Sequence, residues 1–594
     1  MLRSSRALGL LACTCAASSV ACGDTGQAQL PDTSSVGSEP DSTSADSDES
    51  ASNESATGQD SHSSDPQTGD PETDEDSDPD EDSDPDEDSD PDEDSDADED
   101  SDPDEDADPD EDADPDEDAD PDEDTDPDED TDPDEDTDPD EEPSETSDDT
   151  SEAEEDCPSE DLDRAPEPPS VDGFDPVVVD VHWLSAKVAF DVEAREASAT
   201  ATLGFRLGEV GGQPLFDLRQ DVREASLDGE PFDVDRMQHH DVGGGQGARM
   251  RILDRDLEAC SEHELELTYR LDTPDADGAF VIDWQDGGVL WDLGFSDLIP
   301  GRFLEGWFPA NLTHDEFAFD VEVELENADR EHVAIVNGEV EAGSDNEWTI
   351  RYPEHYASVS PMLVVVPLDL VERAEATADI DRNRTIDVTV YRHNEAPGTA
   401  AEHAEHIRRS LERFGELGPY THGDAFVAYI WHKHMGLSGM EYDGGTTSLE
   451  RALTHEVYHS WFGRSAKPQG ENAGWIDEGW TTFYVDGGGN DPEALDPFAG
   501  PWTLDVGHPW RRSTPSASYG EGAAVFAGLA HLFGTSQIEF LMHEFFEQTQ
   551  AGFITSYDLE RFLYCDSLEF EVREIFHRYV YGREGSADDE LDCD

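Results

Sequence analysis

The segment from 23 to 156 most constrains what this chain can fold into, because it has almost no apolar side chains to bury. It contains 66 Asp and Glu residues and no Lys or Arg, and from Asp74 to Glu142 a six-residue acidic motif with one proline repeats. Such a segment cannot offset its ordering entropy, and proline and charge repulsion keep it extended. The repeat lacks the turn glycine of an EF-hand loop, so only diffuse cation association is expected. We predict a disordered acidic stalk over residues 23–156.

The first 22 residues have the pattern of an export signal. Arg3 and Arg6 form a short basic region, and residues 7–17 form an apolar stretch too short to span a bilayer as a mature helix. The run Ser19–Cys22 resembles a bacterial lipobox, in which Cys22 becomes the lipidated first residue; an ordinary secretory signal is the alternative. We predict that residues 1–22 are a lipoprotein-type signal peptide and that Cys22 anchors an exported bacterial lipoprotein at the outer membrane or cell surface.

Four cysteines follow the predicted lipidation site: Cys157, Cys260, Cys565 and Cys593. An exported protein meets an oxidising compartment, so one or two disulfides are expected. Four cysteines allow three pairings, and the sequence does not choose among them.

The charge balance of residues 157–594 excludes some classes of partner. This part has 86 Asp and Glu residues against 31 Lys and Arg. A surface this acidic repels nucleic acid and anionic lipid, so neither is expected as a partner. The region also has no apolar run of 18 residues, so no transmembrane helix is predicted.

Residues 157–390 have the alternating pattern of β-strands. Apolar and polar side chains alternate in three clear segments: Val177–Trp183, Ala199–Phe205 and Phe317–Leu325. Turn sequences punctuate them at Asp228-Gly229, Asp286-Gly287-Gly288 and Asn337-Gly338. We predict a β-sandwich-like first domain.

The pattern becomes mixed in residues 391–594. Residues 400–417 read as an amphipathic helix with Ile407, Leu411 and Phe414 on one face. A strand is predicted at 425–431, and helical segments follow as far as Tyr581. The predicted fold is therefore multidomain, a β domain followed by a mostly helical α+β domain.

The strongest chemical motif is His455-Glu456-x-x-His459. We predict a helix beginning at a capping box of Thr447 and Glu450, which puts both histidines one turn apart on one face. Two imidazoles at that spacing bind one zinc ion. Glu456 stands at the edge of that face, where it reads as a general base rather than a ligand.

A third zinc ligand is predicted at Glu478, in the segment Trp475–Trp480. Catalytic zinc takes three protein ligands and keeps one position open. The 18 residues between His459 and Glu478 are enough for a loop and a return helix. A single motif of this kind also occurs by chance in helices, but the second acidic motif favours a site for one Zn²⁺.

The residues around these motifs resemble those of the M1 aminopeptidases, a family of gluzincin zinc metallopeptidases. The similar segments are His455–Gly463, Trp475–Trp480, Gly439–Tyr442, Tyr519–Ala523 and Gly306–Pro309. The resemblance covers roughly residues 175 to 582. The segments 461–468 and 578–582 also resemble the M61 glycyl aminopeptidases.

The resemblance implies a fold and a set of roles. It implies a saddle-shaped β domain followed by a thermolysin-like catalytic domain. Glu441 would bind the substrate's free α-amino group, and backbone groups of Gly439 and Met440 would hold the peptide like an added strand. Tyr519 would donate a hydrogen bond to the developing oxyanion. The alternatives are a solvated loop acid at Glu441 and a core tyrosine at Tyr519.

The expected function is a zinc-dependent peptidase that releases N-terminal amino acids from peptide substrates outside the cytoplasm. One alternative is an endopeptidase with an open cleft. Another is a catalytically inactive, surface-tethered binding protein. The presence of Glu456 argues against the last of these, because binding alone has no use for a general base.

Overall fold

The computed structural model describes residues 157, 161–244, 248–274, 282–299, 301–313, 315–381, 384–431, 438–470, 473–487, 495, 501–505, 508, 510–587, 591 and 593. The predicted signal peptide, Cys22 and the predicted stalk over 23–156 lie outside the described residues. Among the described residues, no helix has both the length and the apolar character needed to cross a membrane.

The first region is built from strands alone, apart from short 3-10 turns. Its strands are β1 (Pro176–Val177), β2 (Val179–Asp191), β3 (Glu196–Leu207), β4 (Gln213–Phe216), β5 (Asp221–Leu227), β6 (Glu230–Phe232), β7 (His239–Asp241), β8 (Arg249–Ile252), β9 (Glu262–Arg270), β10 (Ile282–Gln285), β11 (Gly288–Asp292), β12 (Ala318–Glu326), β13 (His332–Val336), β14 (Glu339–Ala342), β15 (Glu347–Tyr352) and β16 (Leu363–Pro367). The predicted strands at 177–183, 199–205 and 317–325 are thereby confirmed.

These strands form three sheets. The largest has the order β14-β15-β12-β2-β3-β9-β5-β6, and two four-stranded sheets have the orders β10-β11-β16-β13 and β1-β4-β8-β7. The predicted turns lie between paired strands: Asp228 and Gly229, both with positive φ, join β5 to β6. The apolar positions of β12 are buried while most of their neighbours are exposed or half-buried, as period-two alternation requires. One apolar core joins the eight-stranded sheet to β11, β13 and β16.

The second region begins with a five-stranded sheet. Its strands are β17 (Val371–Asp381), β18 (Arg384–His393), β19 (Ala425–Ile430), β20 (Gly439–Tyr442) and β21 (Gly445–Ser448), in the order β17-β18-β19-β21-β20. A small parallel pair, β22 (Ala466–Pro468) and β23 (Gly552–Ile554), lies apart from it. The boundary predicted at 390 falls inside β18, so the sheet of the second region already includes residues from 371 onward.

Helices complete the second region. They are α1 (Ala400–Phe414), α2 (Leu453–Tyr458), α3 (Trp475–Tyr484), α4 (Ala517–Phe533), α5 (Thr535–Thr549), α6 (Ser556–Ser567) and α7 (Phe570–Ile575). Helix α1 starts at a capping box between Thr399 and Glu402. Its buried face includes Ile407, Leu411 and Phe414, as the helical period predicts.

Two disulfides select one of the three pairings that the sequence left open. They join Cys157 to Cys260 and Cys565 to Cys593. The first ties the start of the described chain to the first region, and the second ties α6 to residues near the end of the chain.

Candidate metal centre

Helix α2 brings His455 and Glu456 to the site, but it starts later than predicted. Thr447 lies in β21 and is fully buried, so the predicted capping box with Glu450 is wrong. Pairing of β21 with both β19 and β20 outweighs the local capping preference. The helix begins at Leu453, and its one short apolar face, Leu453 and Val457, packs into the core of the second region.

Helices α3 and α4 cross at a glycine–glycine contact. A Cβ atom added at Gly479 would lie 2.8 Å from the backbone of Gly522, and one added at Gly522 would lie 3.0 Å from the Cα of Gly479. This approach is closer than any larger residue allows. It puts Glu478, one residue before Gly479, next to Tyr519, one turn before Gly522 on α4.

The three predicted metal ligands converge. The Nε2 atoms of His455 and His459 lie 3.2 Å and 3.5 Å from Oε2 of Glu478, and one ligand atom from each residue lies within 4.8 Å of the other two. His459 and Glu478 are buried, and the side chain of His455 is 12% exposed. Two imidazoles and one carboxylate are the donor set of a catalytic zinc site.

The far nitrogen of each imidazole is already engaged. Nδ1 of His455 lies 2.8 Å from Oδ2 of Asp486, and Nδ1 of His459 lies 2.9 Å from the carbonyl oxygen of Phe462. A proton on Nδ1 leaves Nε2 as a lone-pair donor in both rings. Nε2 of His459 is buried with no hydrogen-bond partner among the described residues. An orphaned buried acceptor facing a carboxylate fits a bound cation, so these residues fit zinc.

The electrostatic field at the pair of histidines favours positive charge. Burial opposes protonation of His459, but the charges of Glu478 and Glu441 outweigh burial and raise its pKa to about 10. Burial also opposes protonation of His455, yet hydrogen bonds to Asp486 and Glu478 hold its pKa well above the usual value. In the absence of metal, protons supply the positive charge that a zinc ion would otherwise bring.

Glu456 faces the same cavity as the ligands. Burial raises its pKa to about 8; the positive charge of His455 opposes this rise, and the charge of Glu441 adds to it. Gly439 on β20 runs directly against it, because a Cβ atom there would lie 2.3 Å from Oε1 of Glu456. A carboxylate with a raised pKa beside a metal site suits proton transfer near neutral pH.

Tyr519 lies at the metal site, as the resemblance implied. Its hydroxyl donates a hydrogen bond to Oε1 of Glu478 at 2.8 Å, and its ring stacks on that of His455 with centroids 6.4 Å apart. It is therefore not an isolated core tyrosine. The hydroxyl is an O–H donor next to the ligand set.

Glu441 is buried in an ion pair, not solvated in a loop. Its Oε1 accepts a hydrogen bond from Nη2 of Arg464 at 2.7 Å. Along β20, Met440 and Tyr442 pack into the core of the first region, while Gly439 and Glu441 line the cavity. The period-two alternation of an extended strand separates the two pairs.

A cavity of about 380 Å³ opens over these groups. Carboxylates dominate its lining: Asp297, Glu441, Glu456, Glu478 and Asp486, with Arg451 and His455 as the basic side chains. Burial, together with the charges of Glu478 and Glu441, holds the pKa of Asp297 well above the usual value. The cavity therefore favours a cationic group on whatever it binds.

Sequence reasoning missed three residues of this site: Asp297, Arg464 and Asp486. Asp486 follows directly on α3, and an acid just after a predicted ligand helix is a signal that could have been read. Arg464 lies five residues after His459 in a run that the resemblance already covered. Asp297 comes from the first region, and nothing local marks it.

No protein-family model matches the sequence, and no curated protein matches it. Among solved structures, the chain is similar to a two-domain M1 zinc metallopeptidase mutant bound to L-tryptophan, at 18% identity and a TM-score of 0.48, over 72% of this chain and 99% of that one. It is also similar to an M1 zinc metallopeptidase from Deinococcus radiodurans, at 17% identity and a TM-score of 0.49, over 69% and 95% of the two chains.

A third similar structure is the native LTA4 hydrolase of yeast, at 15% identity and a TM-score of 0.47, over 70% of this chain and 69% of that one. At these values the similarities carry no argument about activity, which must come from the site itself. The likeness to M61 peptidases stays a prediction. The first two similar structures are described as M1 zinc metallopeptidases, the family that the sequence motifs resemble.

Proposed function

We propose that this chain is a zinc-dependent metallopeptidase that releases N-terminal amino acids from peptides outside the cytoplasm. The observation that carries the proposal is the convergence of His455, His459 and Glu478, with Glu456 facing the same cavity. The acidic lining and the buried Glu441 support an aminopeptidase in particular, because a free peptide N-terminus is an ammonium group.

Substrate binding uses the edge of the five-stranded sheet. In the described part of the chain, β20 is the last strand of that sheet, so its outer backbone groups can pair with an extended peptide. Glu441 then meets the peptide's ammonium group. Arg464 binds one of its two carboxylate oxygens and fixes the orientation of the other.

Catalysis uses the groups around the ligand set. When bound at the three ligands, zinc supplies a Lewis acid that polarises the scissile carbonyl and lowers the pKa of water. Glu456 accepts the proton of the attacking water and passes it to the leaving amine. The hydroxyl of Tyr519 is the donor available to the developing oxyanion.

The test uses the full chain, purified with zinc, and peptide pairs that differ only in acetylation of the amino terminus. We expect free peptides to lose residues one at a time and acetylated peptides to stay intact, as read by mass spectrometry. Glu456→Gln should lower kcat by about 10²- to 10⁴-fold with zinc still bound. Glu450→Gln, a change at an exposed acid six residues earlier, should leave activity unchanged.

Other results would replace the proposal. Internal cleavage of acetylated peptides would make the chain an endopeptidase. If neither peptide is cut by zinc-loaded, folded protein, the chain is a binding protein. A second variant, Glu441→Gln, should weaken only the cleavage of free peptides, and its melting temperature shows whether the unpaired Arg464 has damaged the fold.

We also propose export and lipid anchoring through Cys22. The two disulfides support an oxidising compartment. In cells given labelled palmitate, the wild-type chain should take up label and sediment with membranes, whereas Cys22→Ala should do neither. Labelling of the Cys22→Ala variant would contradict the anchor.

A further inference from the structure

A second group of carboxylates lies in the first region, away from the residues of the metal centre. Asp161 precedes a 3-10 turn at Leu162–Arg164, Asp180 lies in β2, and Asp315 lies just before β12. One carboxylate oxygen from each lies within 4.8 Å of the other two. The side chains of Asp161 and Asp180 are 19% and 13% exposed, and Asp315 is 2% exposed.

Two buried oxygen atoms at this cluster have no hydrogen-bond partner among the described residues. Oδ2 of Asp315 accepts hydrogen bonds from the backbone N–H of Val181 at 3.1 Å and from Nδ2 of Asn311 at 2.9 Å, but its Oδ1 is unpaired. Asn311 is 2% exposed, and its Oδ1 is unpaired as well. Because Nδ2 of Asn311 also donates to the carbonyl of Val179, the amide orientation is fixed.

The protein's own cations engage the outer members of the cluster. Arg164 pairs with Asp161, and Nε2 of His182 lies 3.3 Å from Oδ2 of Asp180. Burial, followed by the charge of Asp180, holds the pKa of Asp315 well above its usual value. Ionised carboxylates this close and this buried are costly unless a cation lies between them.

We propose that Asp161, Asp180, Asp315 and Asn311 bind one calcium ion. All four offer oxygen and none offers nitrogen or sulfur, which selects a hard cation rather than zinc. Oxygens bound to one calcium at about 2.3–2.6 Å span up to about 5 Å, whereas the shorter bonds of magnesium span about 4 Å. The 4.8 Å limit on the cluster matches the larger shell.

The ion would join three segments that are far apart in the chain. Asp161 stands near the start of the described chain and also accepts a hydrogen bond from the backbone N–H of Glu316 at 3.1 Å. The site therefore fastens the entry of the chain to β2 and to the segment before β12. Calcium binding would stabilise the folded first region independently of zinc.

Thermal unfolding of the full chain tests this site. With zinc held constant, about 10 mM CaCl₂ exceeds the roughly 0.1–1 mM dissociation constants of extracellular calcium sites. We expect calcium to raise the melting temperature by at least about 3 °C. Asp180→Asn and Asp315→Asn should lose most of that increase.

The controls separate this site from the acidic stalk, which every variant retains. Asp566→Asn, at an exposed acid in α6, and His182→Gln, which removes only the ion pair with Asp180, should respond like the wild type. An equal response in Asp180→Asn and Asp315→Asn would assign the effect to the stalk and overturn the proposal. If Asp315→Asn does not fold, the more exposed Asp161→Asn replaces it.

Two further outcomes would overturn the proposal. An equal effect of magnesium would remove the selection for calcium. A wild-type chain that ignores calcium but gains stability between pH 7 and pH 5 would indicate that a shared proton, not a metal ion, holds the three carboxylates together.

Discussion

His455 and His459 are held through their Nδ1 atoms by different kinds of acceptor. A backbone carbonyl of the loop after α2 holds His459, while the carboxylate of Asp486 holds His455. The carbonyl cannot be removed by mutation, but the carboxylate can. The side chain of Asp486 is 47% exposed, so changing it leaves the core intact.

Asp486→Asn should weaken zinc binding by about 10- to 100-fold, because such partners orient the ring and raise its basicity. Competition with a chromogenic chelator measures the dissociation constant directly. Asp566→Asn provides the matched control for the loss of one exposed charge. An unchanged zinc affinity in Asp486→Asn would mean that packing alone orients His455.

Zinc binding should release protons at pH 7. The pKa values of His455 and His459 lie above 7 in the metal-free site, so both rings are protonated there and must become neutral to bind. We expect about two protons from this pair, and an affinity that rises with pH. Calorimetry in two buffers of different ionisation enthalpy counts them, and binding without proton release would refute the expectation. Repeating the titration with Glu456→Gln removes any proton from that carboxyl.

At the scale of elements, the crossing of α3 and α4 decides whether the site forms. Gly479→Ala would drive a methyl group into the backbone of α4. We expect a loss of about 1–3 kcal/mol in the free energy of unfolding, despite the better helix propensity of alanine. Activity should fall further than stability, since Tyr519 would move away from Glu478.

Gly520 is the matched control for that change. It lies two residues from Gly522 on the same helix, and a Cβ atom there would meet nothing within 4 Å. Gly520→Ala should therefore leave activity unchanged and keep or slightly raise the melting temperature. Equal loss of stability in both variants would rule out the close crossing as the cause.

At the scale of the whole molecule, the two disulfides close loops of very different length. Their sequence separations are 103 and 28 residues. In the chain-entropy account, they stabilise the fold by about 4.7 and about 3.6 kcal/mol. Replacing Cys157 and Cys260 with serine should lower the melting temperature more than replacing Cys565 and Cys593. Free thiols in the oxidised native protein would contradict both pairings.

The sequence by itself determined the features that depend on short spacing. Alternation over a few residues identified β2, β3 and β12, and the helical period identified the buried face of α1. The four-residue spacing of His455 and His459 identified two ligands, because residues one turn apart share a face whatever surrounds them. Glu478 followed because only one acidic motif stood at a suitable distance.

Tertiary structure decided everything that depends on pairing between distant segments. Strand pairing placed Thr447 in β21 and delayed the start of α2, against the local capping signal. The partners of the ligands, Asp486 beside His455 and Arg464 beside Glu441, are set by how the chain returns after α3 and α2. The disulfide pairing and the cluster of Asp161, Asp180 and Asp315 unite residues up to 154 positions apart. No local pattern records such contacts, because they arise only when separate apolar faces have packed together.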